Sequence, residues 1–244
     1  MSQLAHTHPR RATEILDSSF QFYRAHFADL LVLSALLLVP PILIGAFMPQ
    51  PVQVVFQFVF NLMFLVSQGA IAVMVAGAIE QDRALSAGEV LRALGDRAGS
   101  VIAVSMMSGI LIGLGTLLLV IPGVLIAVWT VVATPVAAIE GLKNSAALSR
   151  SRNLARGQFW HVLGTMLLAW IIVMVLVLGL AIALGMVFGI IGAPERFTDM
   201  LSELLMVPLF PLIAVAASLL YYDLRVRGEG ADVQAMVDAL PEAT

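Results

Sequence analysis

The sequence predicts an all-α integral membrane protein with six transmembrane helices, and three observations carry that prediction. Of 244 residues, 60% are hydrophobic and only 12% charged. A soluble domain carries about 25% charge, so there is too little polar surface here to cover a water-soluble globule. The apolar stretches run for roughly 18 to 30 residues, the length a helix needs to cross a bilayer, where barrel strands would show short alternating segments. The basic residues are also gathered. Twelve of the thirteen Lys and Arg lie before the first apolar run, in the 80–100 and 140–158 linkers, or just after the last run, and only Arg196 lies elsewhere.

In hydrocarbon the backbone must satisfy its own hydrogen bonds, which leaves helices as the spanning element. Lys and Arg concentrate in cytoplasmic loops, so both termini are expected in the cytoplasm, and an odd number of spans would break the pattern. The net charge of −3 decides nothing, because the placement of the charges carries the information. The absence of cysteine excludes disulfides, thiolate metal sites and cysteine nucleophiles.

Taken in order, residues 1–11 read as a disordered tail, 12–227 as a single six-span membrane domain and 228–244 as a cytoplasmic tail. From 12 to 27 the residues Leu16, Phe20, Tyr23 and Phe27 form one apolar stripe, suited to a helix lying in the interface plane. The first span covers about 28–48, and its polar, arginine-bearing lead favours a retained helix over a signal peptide. Pro40 and Pro41 should kink or break it. The second covers about 54–79. Ser86 and Glu89 then form a capping box ahead of Val90, Leu91 and Leu94. The third covers about 100–120 and turns at Ile121-Pro122-Gly123, and the fourth runs to Glu140 through Pro135.

The polar segment 140–158 carries Lys143, Arg150, Arg152 and Arg156 and reads as a basic interfacial helix. The fifth span, about 159–191, exceeds what a bilayer needs and should tilt, bend or protrude. Pro194 marks a helix start, giving a short outer-surface helix that turns into the sixth span past Pro208 and Pro211. That span ends near Tyr222, and Val233, Met236, Val237 and Leu240 mark a weak helix in the tail.

Ala78-Ile79-Glu80 recurs as Ala138-Ile139-Glu140, sixty residues on. Each copy precedes a polar amphipathic segment and two spans. Residues 12–27 with the first two spans make a further such unit, so a threefold repeat of interfacial helix plus hairpin is expected.

The candidate sites follow from the charges. Arg150, Arg152 and Arg156, with Trp160 and His161 beside them, suit anionic lipid headgroups, because the arginine fork matches phosphate and juxtamembrane basic residues gain about 1 kcal/mol each. The plainer reading is charge that merely fixes topology. Asp223 with Arg225 and Arg227 reads as a structural ion-pair group, and Glu80 and Glu140 as partners for arginines of neighbouring units. Glu195, Asp199 and Glu203 could collect a divalent cation but read first as a solvated acidic face; His6 and His8 are a weak metal signal.

The apolar cores hold almost no ionisable residue, whereas proton and ion pathways normally leave one. Their polar groups, among them Asn61, Ser67, Gln68, Ser105, Ser108, Thr116, Thr130, Thr134, Thr165 and Ser218, suit helix–helix glue, with Asn61 and Gln68 a weaker sign of a cavity. Gly109/Gly113, Gly185/Gly189 and Ala72/Ala76 suit close helix contact. No catalytic triad, phosphate loop or dinucleotide fingerprint stands out.

Two segments, Ser151-Arg152-Asn153-Leu154-Ala155-Arg156-Gly157-Gln158-Phe159-Trp160-His161-Val162-Leu163-Gly164 and Tyr221-Tyr222-Asp223-Leu224-Arg225-Val226-Arg227-Gly228-Glu229-Gly230, stand together with the Ile121-Pro122-Gly123 turn. Together they resemble the membrane domain attached to some bacterial glycerophosphodiester phosphodiesterases and its stand-alone relatives. The resemblance implies a six-helix protein of the bacterial inner membrane and no activity, because a separate soluble domain does the hydrolysis in the fused enzymes. The His-Arg-Gly start of that domain and its acidic metal ligands are absent here. The expectation is therefore a non-enzymatic protein with no cofactor, no metal and no nucleic-acid partner, binding anionic lipid or a protein partner (a second copy included) in envelope or lipid homeostasis. The alternative is a transporter or channel for a neutral or amphipathic solute, built on proline-broken helices.

Overall fold

The computed structural model describes residues 10–83, 85–192 and 194–238, without the side chains of 195 and 229–238. Among these the chain is helical, with no strand: α1 Ala12–Ala25, α2 Phe27–Ala46, α3 Gln50–Glu80, α4 Ala87–Leu94, α5 Ala98–Leu118, α6 Val120–Thr130, α7 Ala133–Ile139, α8 Asn144–Ala155, α9 Phe159–Ile191, α10 Glu195–Met206 and α11 Pro211–Asp238. Six stretches are long and apolar enough to cross a membrane, as the composition predicts.

Local chemistry sets the boundaries. Ser86 and Glu89 close the expected capping box on α4, the Glu89 amide bonding to Ser86 Oγ and the Ser86 amide to Glu89 Oε2. Gly192 ends α9 in the left-handed region at φ 61°, where a side chain would be strained. The fourth span is split into α6 and α7. Pro135 has no N–H for the carbonyl of Val131 and its ring presses on that carbonyl, so the helix gives way at 131–132. Pro40 and Pro41 do not break α2, which runs through them while Leu38 and Ile42 pack on Val207.

The core sits at one end of the bundle. Residues 70–76 of α3, the body of α7 and Leu212 to Leu224 of α11 are buried almost without interruption. These three returning helices touch one another and form a hub. Short helices wrap it: α1 packs on α9 and α11, α4 on α2 and α3, and α8 on α5, α6 and α7. Away from the hub the helices are apolar and exposed, as at Leu117, Leu118, Ile121, Met186 and Ile190. The helices also differ in length. The shorter α2 matches roughly one hydrocarbon thickness at the rise of an α-helix. Both α3 and α9 are more than half as long again; α3 carries its buried run into the hub, while α9 buries only Val162, Thr165, Met166, Ala169 and Val173.

Several expectations shift. Arg10 and Arg11 are not tail: the Arg10 amide donates to Asp223 Oδ1 at 2.7 Å. The rest of that tail, with His6 and His8, lies outside the described residues. The buried face of α1 is Ile15, Leu16, Ser19 and Phe22, rotated from the expected stripe because α1 lies against α9 and α11. Phe27 is left exposed and Tyr23 donates to the Pro208 carbonyl at 2.7 Å. α10 is the short helix expected to turn into the last span. It packs on α2 and α9, and with the start of α11 it forms a single broken candidate span, Arg196–Gly228. The last helix continues past Gly228 to Asp238, with Leu240 outside the described residues.

The interior polar groups are mostly spent on their own helices. Ser108, Thr116, Thr130, Thr165 and Ser218 each bond to a carbonyl four residues back, the back-bonding that short hydroxyls favour. Asn61 does the same with Gln57, while Gln68 Nε2 is buried with no protein partner among the described residues. Ser105 and Thr134, 2.9 Å apart, are a bond that does join two helices. A Cβ at Gly109, Gly113, Gly185 or Gly189 would meet nothing within 4 Å. The close crossing is at Gly123, where a Cβ would stand 2.8 Å from the Thr116 amide nitrogen.

Candidate functional site

The polar residues of the hub end sort into two sets, one that closes the protein on itself and one that is left open. The closed set begins at the helix ends. Glu140, the C-cap of α7, takes the Arg150 guanidinium at 3.2 Å and the Tyr221 phenol at 2.8 Å. Glu80, the last residue of α3, takes the Tyr222 phenol at 2.8 Å. An arginine was expected here, and the hydrogen bond that Glu80 accepts comes from a tyrosine. Asp223, with a side chain 1% exposed, receives Arg227 at 2.7 Å, His161 Nε2 at 2.8 Å and the Arg10 amide. Arg225 is part-buried beside them and is also engaged. Arg97 donates to the carbonyls of Ala138 and Ile139, both at 2.9 Å, joining the start of α5 to the end of α7.

The open set lies between α8 and the end of α6. Ser149, Arg152, Asn153 and Arg156 follow one another at spacings of three, one and three, so they share one face of α8. With Trp129 they line a recess of about 420 Å³. Ser151 fixes α8 in place, its hydroxyl donating to the Trp129 carbonyl at 2.8 Å. The Arg152 guanidinium lies over the Trp129 ring, 4.5 Å from the centroid, a cation–π contact of about 0.5–1 kcal/mol at an exposed site. Among the described residues, neither Arg152 nor Arg156 has a carboxylate within ion-pair distance.

The sequence-predicted lipid residues therefore divide. Arg152 and Arg156 meet in the recess. Arg150 does not line it: two positions along a helix is a rotation of about 200°, so Arg150 faces Glu140 when Arg152 faces Trp129. His161 belongs to the Asp223 group. Trp160 is 80% exposed and sits edge-on to Phe159 rather than in the recess. Sequence reasoning passed over Trp129, Ser149 and Asn153. For the last two the signal was present in their helical spacing from Arg152. Trp129 carried no such signal, because it stands midway along the candidate span Val120–Ile139, away from the span ends where aromatic anchors gather.

The chemistry of the recess is anion recognition. Two guanidinium groups offer forked donors, Asn153 and Ser149 offer neutral ones, and Trp129 holds one fork in place. Its walls bring no acid–base pair to a common point. Among the described residues no group of three or more His, Cys, Asp or Glu could hold a metal. The chain matches no family model, no curated protein and no solved structure.

Proposed function

We propose that this is a non-enzymatic component of the bacterial inner membrane, with both termini cytoplasmic, that holds an anionic lipid headgroup in the recess between α8 and α6. The observation that carries the reading is the pair Arg152 and Arg156, two unneutralised cations on one face beside Trp129. They lie where α8 packs on the end of α6, and the reading places the phosphate there. Arg150, Arg97 and Arg227 are satisfied by the protein itself, whereas Arg152 and Arg156 line one recess together.

The same reading takes the hub as three repeated units. In each, a short helix packs on the hairpin of another unit: α1 on α9 and α11, α8 on α5 through α7, α4 on α2 and α3. Each returning helix carries an acid at the hub, namely Glu80, Glu140 and Asp223. A role in envelope or lipid homeostasis accords with the resemblance to phosphodiesterase-linked membrane domains. A scaffold is favoured over a transporter because the hub is filled at Ile71, Met74, Leu219 and Leu220, each at most 2% exposed.

The test is native mass spectrometry of the protein released from nanodiscs of phosphatidylethanolamine and phosphatidylglycerol. Arg152→Ala with Arg156→Ala should lower retained phosphatidylglycerol by about tenfold or more, since each basic residue contributes about 1 kcal/mol. Undiminished retention would remove the site.

A further inference from the structure

The end of the bundle away from the hub carries a second polar cavity, of different charge. It holds about 180 Å³ between the α2–α3 hairpin and α10. Arg196, Asp199 and Glu203 follow at spacings of three and four, so one face of α10 supplies all three. Gln50, Gln53 and Gln57, at the same helical spacing on α3, supply the facing amides. The floor is apolar. Leu38, Ile42 and Val207, packed with Phe60, Met200 and Leu204, close the cavity off from the hub.

Two facts bear on this face. Its charges are exposed and stand in the first turns of the segment Arg196–Gly228, and they face the glutamines of α3 across the cavity. They are also not spent on each other: among the described residues none of Arg196, Asp199 and Glu203 has a hydrogen bond or ion pair from its side chain.

We infer that this cavity binds a small zwitterion carrying a primary ammonium and a phosphate, the chemistry of an ethanolamine phosphate head. Asp199 and Glu203, one turn apart, share the ammonium, and the glutamine carbonyls accept its remaining N–H groups. The Arg196 fork takes the phosphate. A bare divalent cation suits the cavity less well, because Arg196 sits on the same face and repels it. A purely anionic head meets two carboxylates. The site is independent of the recess on α8, and its ligand is either the head of a phosphatidylethanolamine lipid or the free phosphoethanolamine molecule.

The experiment uses the full chain in nanodiscs. In one arm, equal phosphatidylethanolamine and phosphatidylglycerol are offered and retained lipid is counted by native mass spectrometry. In the other, soluble phosphoethanolamine is titrated calorimetrically into protein held in phosphatidylglycerol alone. Asp199→Asn with Glu203→Gln, which keeps the shape, should lower binding about tenfold in whichever arm shows it, and Arg196→Gln should do likewise. Arg152→Ala with Arg156→Ala should leave that binding unchanged, so this test and that of the α8 recess fail separately. Trimethylated phosphatidylcholine in place of phosphatidylethanolamine should bind less, having no N–H to donate. The inference is overturned if neither arm shows binding, if the carboxamide variant binds as wild type, or if magnesium ion binds in place of the zwitterion.

Discussion

Tyr221 and Tyr222 are neighbours in sequence, yet their phenols donate to glutamates at the ends of two different helices, Tyr221 to Glu140 and Tyr222 to Glu80, each at 2.8 Å. Successive residues of a helix point about 100° apart, so a tandem pair on α11 reaches both neighbours at once. The two rings meet edge to face, 5.1 Å between centroids. The hub is thus tied at its polar end by a single dipeptide.

Tyr221→Phe removes a bond to a charged acceptor inside the hub and should cost about 1.5–3 kcal/mol. Tyr222, less buried, should cost less. Thermal unfolding in detergent checks this, and a double-mutant cycle of Tyr221→Phe with Glu140→Gln should show coupling. Additive losses would mean the phenol and carboxylate do not interact.

Asp223→Ala leaves His161 and Arg227 facing a site that no longer holds a charge. Removing one member of a buried ion pair costs about 3–5 kcal/mol, and the Asp223 side chain is 1% exposed. Chemical unfolding should therefore register a loss larger than that of either tyrosine variant. A loss under about 1 kcal/mol, the value for an exposed pair, would show that water reaches the cluster.

Gly123→Ala should destabilise by about 1–3 kcal/mol, as overpacking does, because the new methyl meets the backbone of Thr116. Gly113→Ala, on the same hairpin but with open space around it, should be neutral or stabilising, since alanine is the better helix former. Equal effects of the two would place the α5–α6 crossing elsewhere.

The chain has no cysteine, so single introduced thiols report topology cleanly. Ser145→Cys should react with an impermeant maleimide only after cells are opened, and Gln50→Cys in intact spheroplasts. The reverse pattern would invert the protein and move the Arg152 recess to the outer face.

Much of the helical layout was legible from sequence because length, hydropathy and capping are local. The span over 159–191, the Ser86–Glu89 cap and the break ahead of Pro135 each need only a few neighbouring residues and the helix rise. Local signals also misled. The stripe Leu16, Phe20, Tyr23, Phe27 was a fair amphipathic face, but the packing of α1 on α9 and α11 chose Ile15 and Phe22 to bury. The open glycine pairs likewise satisfied a motif that no helix among the described residues answers.

By itself the sequence determined the class of object: oily rods of spanning length, with cations gathered at one end, because those properties belong to each segment separately. Only the tertiary structure decided which charges are spent and which are left. Whether Arg150 finds Glu140 while Arg152 lies over Trp129 depends on which helices stand beside α8 and at what rotation, and that is settled by long-range packing no single segment contains.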